Sequence, residues 1–299
     1  MHRLLVTYRL KKGDVCLNNF WRLNKYHISL SLVIFFIMVF SILNEYISNA
    51  FLYVTNLGFR QEMNQGQAFI NVFDFFWRSL TESVWSFDYS LIFGTNLFQM
   101  FIPLVASIGT AIFAQKWQTI YKFEIYHVLN FRNFVYRKIL STATKIALAT
   151  FFGFFVYYSL CFIALHESIN DTVTRPMFED IFGSNFYVNH RFLQSFLEGV
   201  VRFFWIPFIY TIFGTSISLI VSEAKIYLLA APLYYYSMSA IGTGMTAFSE
   251  DISLYFNPTV IMASGDYYTF NTYLLLLANS IPLFIGIVLI CGRSHNVEL

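Results

Sequence analysis

The chain has 299 residues, of which 57% are hydrophobic, 20% aromatic and 12% charged, with a formal net charge of +2 and a mean hydropathy of +0.56. A water-facing domain carries about 25% charged residues, so a soluble globule, a disordered chain, a collagen-like fibre and a disulfide scaffold are excluded. The small net charge also gives no footing for nucleic acid. The composition predicts an all-α integral membrane protein that crosses the bilayer several times.

Residues 1–27 read as a cytoplasmic basic segment, with no cleavable signal peptide visible. Arg3, Arg9, Lys11, Lys12, Arg22 and Lys25 are opposed there only by Asp14. From Val15 to His27, apolar Leu17, Phe20, Trp21 and Leu23 alternate with Asn18, Asn19, Arg22, Asn24 and Lys25. That pattern predicts an amphipathic interfacial helix, aromatics in the inner leaflet and cations at the lipid phosphates. Apolar runs long enough to cross the hydrocarbon then predict a six-helix transmembrane domain over 28–291. Its spans fall at about 28–48, 91–115, 146–165, 200–221, 226–248 and 273–291, followed by a short cytoplasmic tail, 292–299. Pro103, Pro207, Pro232 and Pro282 lie inside four of these runs. They are tolerated because neighbouring helices and hydroxyl side chains re-satisfy the freed carbonyls.

Local charge fixes the expected orientation. Between spans two and three, Lys116, Lys122, Arg132, Arg137 and Lys138 face only Glu124. The connections after spans one, three and five are richer in acids, among them Glu62, Asp74, Asp88, Glu179, Asp180, Glu250 and Asp266. The bias alternates loop by loop, which places both termini in the cytoplasm. Aromatic clusters at Phe73–Trp77 and Phe178–Tyr187 predict short helices at the outer surface rather than water-exposed loops. The turn at Ser222–Lys225 predicts a tight hairpin of spans four and five. Gly214, Ser216, Ser218, Gly242 and Gly244 permit close backbone approach there.

Catalytic signatures are missing. The sequence has no P-loop, no HExxH and no GxSxG, so it is not read as an enzyme and holds no cofactor of its own. Cys16, Cys161 and Cys291 are too far apart for a metal spacing and read as unpaired thiols. The six scattered histidines read as isolated residues. Ionisable groups in the spans are few, which argues against an ion-driven carrier. Glu45 sits near the outer end of span one. Glu198 and Arg202 sit at the outer start of span four, spaced i,i+4, either as a structural pair that anchors the helix end or as part of a substrate site.

Three stretches carry a family resemblance. The first runs from Phe98-Gln-Met-Phe-Ile-Pro103 through Phe113-Ala-Gln-Lys116-Trp to a basic, aromatic segment ending Asn130-Phe-Arg-Asn-Phe-Val-Tyr-Arg-Lys138. The second is Gly214-Thr-Ser-Ile-Ser-Leu-Ile-Val-Ser222-Glu-Ala-Lys225, leading into Pro232. The third is Phe256-Asn-Pro258-Thr before the last apolar run. Together they resemble the membrane subunits of type-2 ABC transporters, above all the small permeases of Gram-positive bacteria. Gln115-Lys116 stands where that family often has an acid after the second span.

The resemblance implies a multi-pass permease in a bacterial cell membrane, working with a second permease, identical or homologous, and with a cytoplasmic ABC ATPase that binds ATP and Mg. It implies that the loop Lys116–Lys138 carries a helix that couples to the ATPase. Trp117, Tyr121, Phe123 and Tyr126 would then be apolar anchors, and Lys122, Glu124, Arg132 and Arg137 polar contacts. It implies export, and the aromatics near the outer surface favour an amphipathic or hydrophobic cargo such as a peptide. Two other classes stay open: an ion-coupled carrier or channel, and a non-transporting membrane sensor or immunity protein.

Overall fold

A computed structural model describes residues 2–55, 74, 86–125, 130–165, 177–183, 186–247, 249–262 and 271–295; for residues 2–24 it describes the backbone alone. No strand occurs among the described residues. Five helical stretches are long and apolar enough to cross a membrane, Lys25–Tyr53, Phe98–Tyr121, Phe131–Ala164, Arg191–Ser218 and Thr272–Gly292. The protein is therefore an all-α membrane bundle.

The first helix, α1, runs unbroken from His2 to Thr55, so the basic segment and the first span share one helix. Its outward stripe, with Leu32, Val33, Phe36, Phe40, Leu43, Ile47 and Phe51, is exposed. Ile34, Met38 and Ile42 on the opposite face are buried, as a 3.6-residue period demands of a helix with one side in lipid. Helices α2 (Phe87–Asn96) and α3 (Phe98–Lys116) meet at Leu97 and share the run expected as span two. Ser41 of α1 pins that joint: its hydroxyl donates to the Phe93 carbonyl at 2.5 Å and accepts from the Leu97 N–H at 3.3 Å.

A π-helical turn, Trp117–Tyr121, and the short α4 (Lys122–Ile125) follow. Helix α5 (Phe131–Ala164) starts at an Asn130 cap whose side chain accepts from the Asn133 N–H at 3.0 Å. At 34 residues it is about 51 Å long, against about 30 Å of hydrocarbon. The span expected at 146–165 is its second half. The basic residues Arg132, Arg137 and Lys138 ride on its first two turns, not on an irregular loop.

On the other pole lie the short α6 (Glu179–Phe182) and α7 (Phe186–Asn189), where the aromatic run predicted surface helices. Phe178, Phe182, Phe186 and His190 form a ladder of rings 4.6–6.2 Å apart. Span four is α8 (Arg191–Val200), a π-helical turn at Val201–Trp205 and α9 (Ile206–Ser218). Pro207 explains the wide turn, because its ring and missing N–H reject an α-helical bond to Phe203.

Helix α9 is the central post: eleven of its thirteen residues are buried, and α3, α5, α14 (Ile281–His295) and α10 (Ala224–Met245) surround it. Its hydroxyls bond back into the helix, Thr215 to the Thr211 carbonyl, Ser216 to Phe213 and Ser218 to Thr215, each at 2.7 Å. Helix α10 is long enough for the fifth expected span, but Tyr234–Tyr236 and its scattered Ser and Thr leave it less apolar than the other five. Short helices α11 (Glu250–Phe256) and α12 (Pro258–Met262) follow it. The last span breaks at Ser280, before Pro282, into α13 (Thr272–Asn279) and α14.

Hydrogen bonds at and near the prolines of α3 and α10 also tie these helices to each other. Pro232 lacks the N–H that would reach the Leu228 carbonyl, and Ser107 of α3 donates to that carbonyl at 2.6 Å. One residue from the gap opened by Pro103, the Met100 carbonyl accepts from Tyr236 of α10 at 2.7 Å. Ser107→Ala is expected to destabilise the bundle by about 1 kcal/mol, the usual worth of an interhelical bond in lipid. Thermal unfolding in detergent beside Ser141→Ala, an exposed position, checks it.

Of the glycines expected to bring spans four and five together, Gly214 and Gly242 serve other neighbours and Gly244 meets none among the described residues. A Cβ on Gly214 would run into the Thr110 hydroxyl of α3, and one on Gly242 would meet Asn257 at 2.7 Å. The hairpin, which turns over residues 219–223, is held by rings instead: Phe213 and Tyr234 lie 5.3 Å apart and Tyr210 and Tyr235 5.7 Å apart.

Candidate functional site

Two poles of the bundle concentrate chemistry. At the pole of α6 and α7, two ion pairs flank a cavity of about 40 Å³ lined by Asp88, Thr95, Phe154, Tyr187, Ser195, Glu198 and Arg202. One is the pair singled out from spacing. Arg202 Nη2 donates to Glu198 Oε2 at 2.6 Å, and the side chains are only 6% and 12% exposed. The remaining lone pairs of Glu198 accept from Gln194 Nε2 at 2.8 Å and from the Met177 N–H at 3.1 Å. Arg202 Nε donates to the Ile261 carbonyl at 3.2 Å. The pair therefore joins span four to the chain before α6 and to α12. The polar atoms of the pair are met by each other, by Gln194 and by the backbone at Met177 and Ile261. The Gln194 Oε1 amide oxygen is buried without a partner.

The second pair was not evident from sequence. Arg191 Nη2 meets Asp88 Oδ2 at 2.8 Å, with Asp88 buried at the start of α2. Tyr187 bridges them, accepting from Arg191 Nε at 3.2 Å and donating to Asp88 at 3.4 Å. Asp88 and Arg191 are far apart in the chain, and no local spacing links them. Glu45 stands apart from both pairs, accepting from Asn49 Nδ2 at 3.5 Å; Asn49 also donates to Tyr89.

Burial, and next the Asp88 carboxylate, push the Tyr187 phenol up to about 12. The folded chain then keeps a proton that the unfolded chain releases near pH 10. The stability this group contributes is whole below pH 10 and is lost as pH rises towards 12. Tyr187→Phe is expected to flatten the fall in unfolding midpoint between pH 9 and pH 11.5, measured against the unaltered chain.

The opposite pole holds the segment expected to face a partner. Trp117 and Tyr121 pack inward, against Phe113, Phe131 and Phe134, with ring centroids 5.8–6.4 Å apart. Lys138 caps this cluster, 4.6 Å from the Tyr121 ring, and its Nζ pairs with Glu124 at 2.7 Å. Arg132 lies over the Tyr136 ring and donates to Cys291 Sγ at 3.7 Å, while Tyr136 and Cys291 are 2.9 Å apart, tying α5 to α14. Arg137 is exposed. Phe123 points away from the bundle, 74% exposed, beside Ile120 at 53%. Ile120 was not among the expected anchors, because the π turn that swings it outward has no sequence signal.

Lys122 falls in α4 and Leu17, Phe20, Trp21 and Arg22 in α1, but their side chains lie outside the described set, as does Tyr126 entirely. Lys25 is exposed, 4.9 Å from the ring of Tyr26. Among the described residues no group of three or more His, Cys, Asp or Glu is placed to hold a metal, and Cys161 and Cys291 form no disulfide. No family model matches the sequence, and searches of curated proteins and of solved structures find no match.

Proposed function

We propose that the chain is the six-span membrane subunit of an ATP-driven transporter of the type-2 ABC kind, with both termini and the basic pole in the cytoplasm. The observation that carries the reading is the form of that pole. Ile120 and Phe123 are exposed on a base of interlocked rings, beside a helix that outruns the bilayer by about 20 Å. Apolar anchors rimmed by Lys and Arg suit a protein partner, and a rigid base can pass a push to α3 and α5. A separate ATPase that closes on this pole would rock the bundle against a second permease and release an amphipathic cargo, such as a peptide, outward. The loop-by-loop alternation of charge supports the orientation, and the lack of an ionisable relay across the described spans agrees with work supplied from outside the chain.

The test is a single cysteine at Phe123 in a chain whose native cysteines are replaced by Ser. A membrane-impermeant maleimide is expected to label it in inverted vesicles and not in intact cells. Phe123→Ala is expected to weaken capture of the ATPase, and its stimulation by the full chain, by about tenfold, the scale of a modest hot spot. Labelling from outside the cell, or purification with no ATPase attached, overturns the reading.

A further inference from the structure

Between α1 and α5 lies a groove of about 640 Å³, lined by Ile28, Ser31, Leu32, Phe35, Leu148, Phe152 and Val156 among others, and closed at one end by His27 and Lys145. Its floor is a close crossing of α1 and α5. Ser31 Oγ donates to the Ala149 carbonyl at 2.7 Å, and Gly153 brings α5 against the Ser31 backbone. Its walls are aliphatic and aromatic, with Leu32, Leu148 and Phe152 exposed on the face turned away from the core. From Lys145 to Val156 the groove runs about 16 Å along α5, the depth of one leaflet of a hydrocarbon core about 30 Å thick.

The polar end is as particular as the apolar one. Lys145 lines this end together with His27, and Lys116 is the last residue of the neighbouring α3. Among the described residues no carboxylate pairs with Lys116, Lys145 or His27, whereas Lys138 is paired with Glu124. His27 Nδ1 is buried with no hydrogen-bond partner among the described residues. Lys145 at the lip of an apolar slot carries a charge with no counter-ion among the described residues, and a buried unsatisfied nitrogen beside it costs free energy. A single anion at the lip relieves both.

We propose that this groove binds one anionic phospholipid from the leaflet on the basic side of the bundle, its phosphate on Lys145 and His27 and one acyl chain laid between α1 and α5. Lys116 contributes charge from the neighbouring α3. His27, in the tautomer or charge state that places a proton on Nδ1, donates to a phosphate or ester oxygen. The acyl chain runs to mid-membrane along Leu148, Phe152 and Val156. The site lies on the same side of the bundle as Phe123 but shares no residue with the exposed Ile120 and Phe123, and it is independent of whether the chain moves a cargo.

Native mass spectrometry of the detergent-purified full chain tests this with three probes: dioleoyl phosphatidylglycerol, dioleoyl phosphatidylcholine and glycerol phosphate. Phosphatidylglycerol is expected to be retained about fivefold more than phosphatidylcholine, the worth of about one cationic contact, and glycerol phosphate not at all. Lys145→Gln is expected to remove the preference between the two lipids. Leu148→Trp, an exposed position that can take a larger ring without entering the core, is expected to lower retention of both. Equal retention of the two lipids by the unaltered chain overturns the headgroup assignment. Binding of glycerol phosphate reduces the site to a plain anion site and overturns the acyl assignment. Retention unchanged in both variants places the lipid elsewhere. The comparison of the three probes on the unaltered chain stands even where a variant is lost.

Discussion

Arg202→Ala is expected to lower the stability of the bundle by about 3–5 kcal/mol, the cost of stranding one member of a buried ion pair. Glu198 keeps two donors, Gln194 and the Met177 N–H, at 2.8 and 3.1 Å. It loses the cation that, among the described residues, offsets its charge, in a position 12% exposed. The loss spreads, because the same guanidinium holds the Ile261 carbonyl and so the end of α12. Arg202→Lys is expected to recover only part of the stability, since an ammonium cannot reach the carboxylate and the carbonyl with a fixed fork. The double variant Glu198→Leu with Arg202→Met is expected to lie closer to the unaltered chain than Arg202→Ala does, because no charge is left buried. Thermal unfolding in one detergent decides the matter. A change under about 1 kcal/mol for Arg202→Ala would mean the pair behaves as a solvated one.

Gly153→Leu is expected to cost about 3 kcal/mol, at the upper end of what overpacking costs. A Cβ there would lie 2.6 Å from the Ser31 carbonyl oxygen and 3.0 Å from the Ile34 Cβ. The nearest atom is backbone, so no side chain can swing aside. Helix α1 must move off α5, and the Ser31–Ala149 bond goes with it. Gly244→Leu is the control: among the described residues nothing lies within 4 Å of a Cβ at that position, and the exchange is expected to be neutral or slightly stabilising, since Gly is a poor helix former. Unfolding midpoints of the two variants that fall together would show that the crossing of α1 and α5 is loose.

Much of the bundle was legible along the chain. Runs of apolar residues mark the helices because each must satisfy its own backbone in lipid, and the Glu198–Arg202 pair follows from i,i+4 geometry on one helix face. What escaped depends on contacts between distant segments. The partner of Asp88 is Arg191. Gly214 makes room for Thr110 rather than for span five. Trp117 and Tyr121, which look like surface anchors in a basic segment, are taken up by Phe113, Phe131 and Phe134. The length of α5 was underread because hydropathy registers where a helix enters lipid, not where it starts. The basic first turns of α5 are as helical as the rest.

Composition and periodicity alone determine that this is a helical membrane protein, which stripes face lipid and which pole is basic, since those depend on hydration and on nearest neighbours along a helix. Which helices touch, where the two ion pairs close, and where an open slot with a cationic lip is left between α1 and α5 were settled only by the packed structure. In lipid, apolar side chains gain nothing by meeting one another rather than solvent, so small residues, displaced carbonyls and paired charges select the partners, and those matches have no period to read.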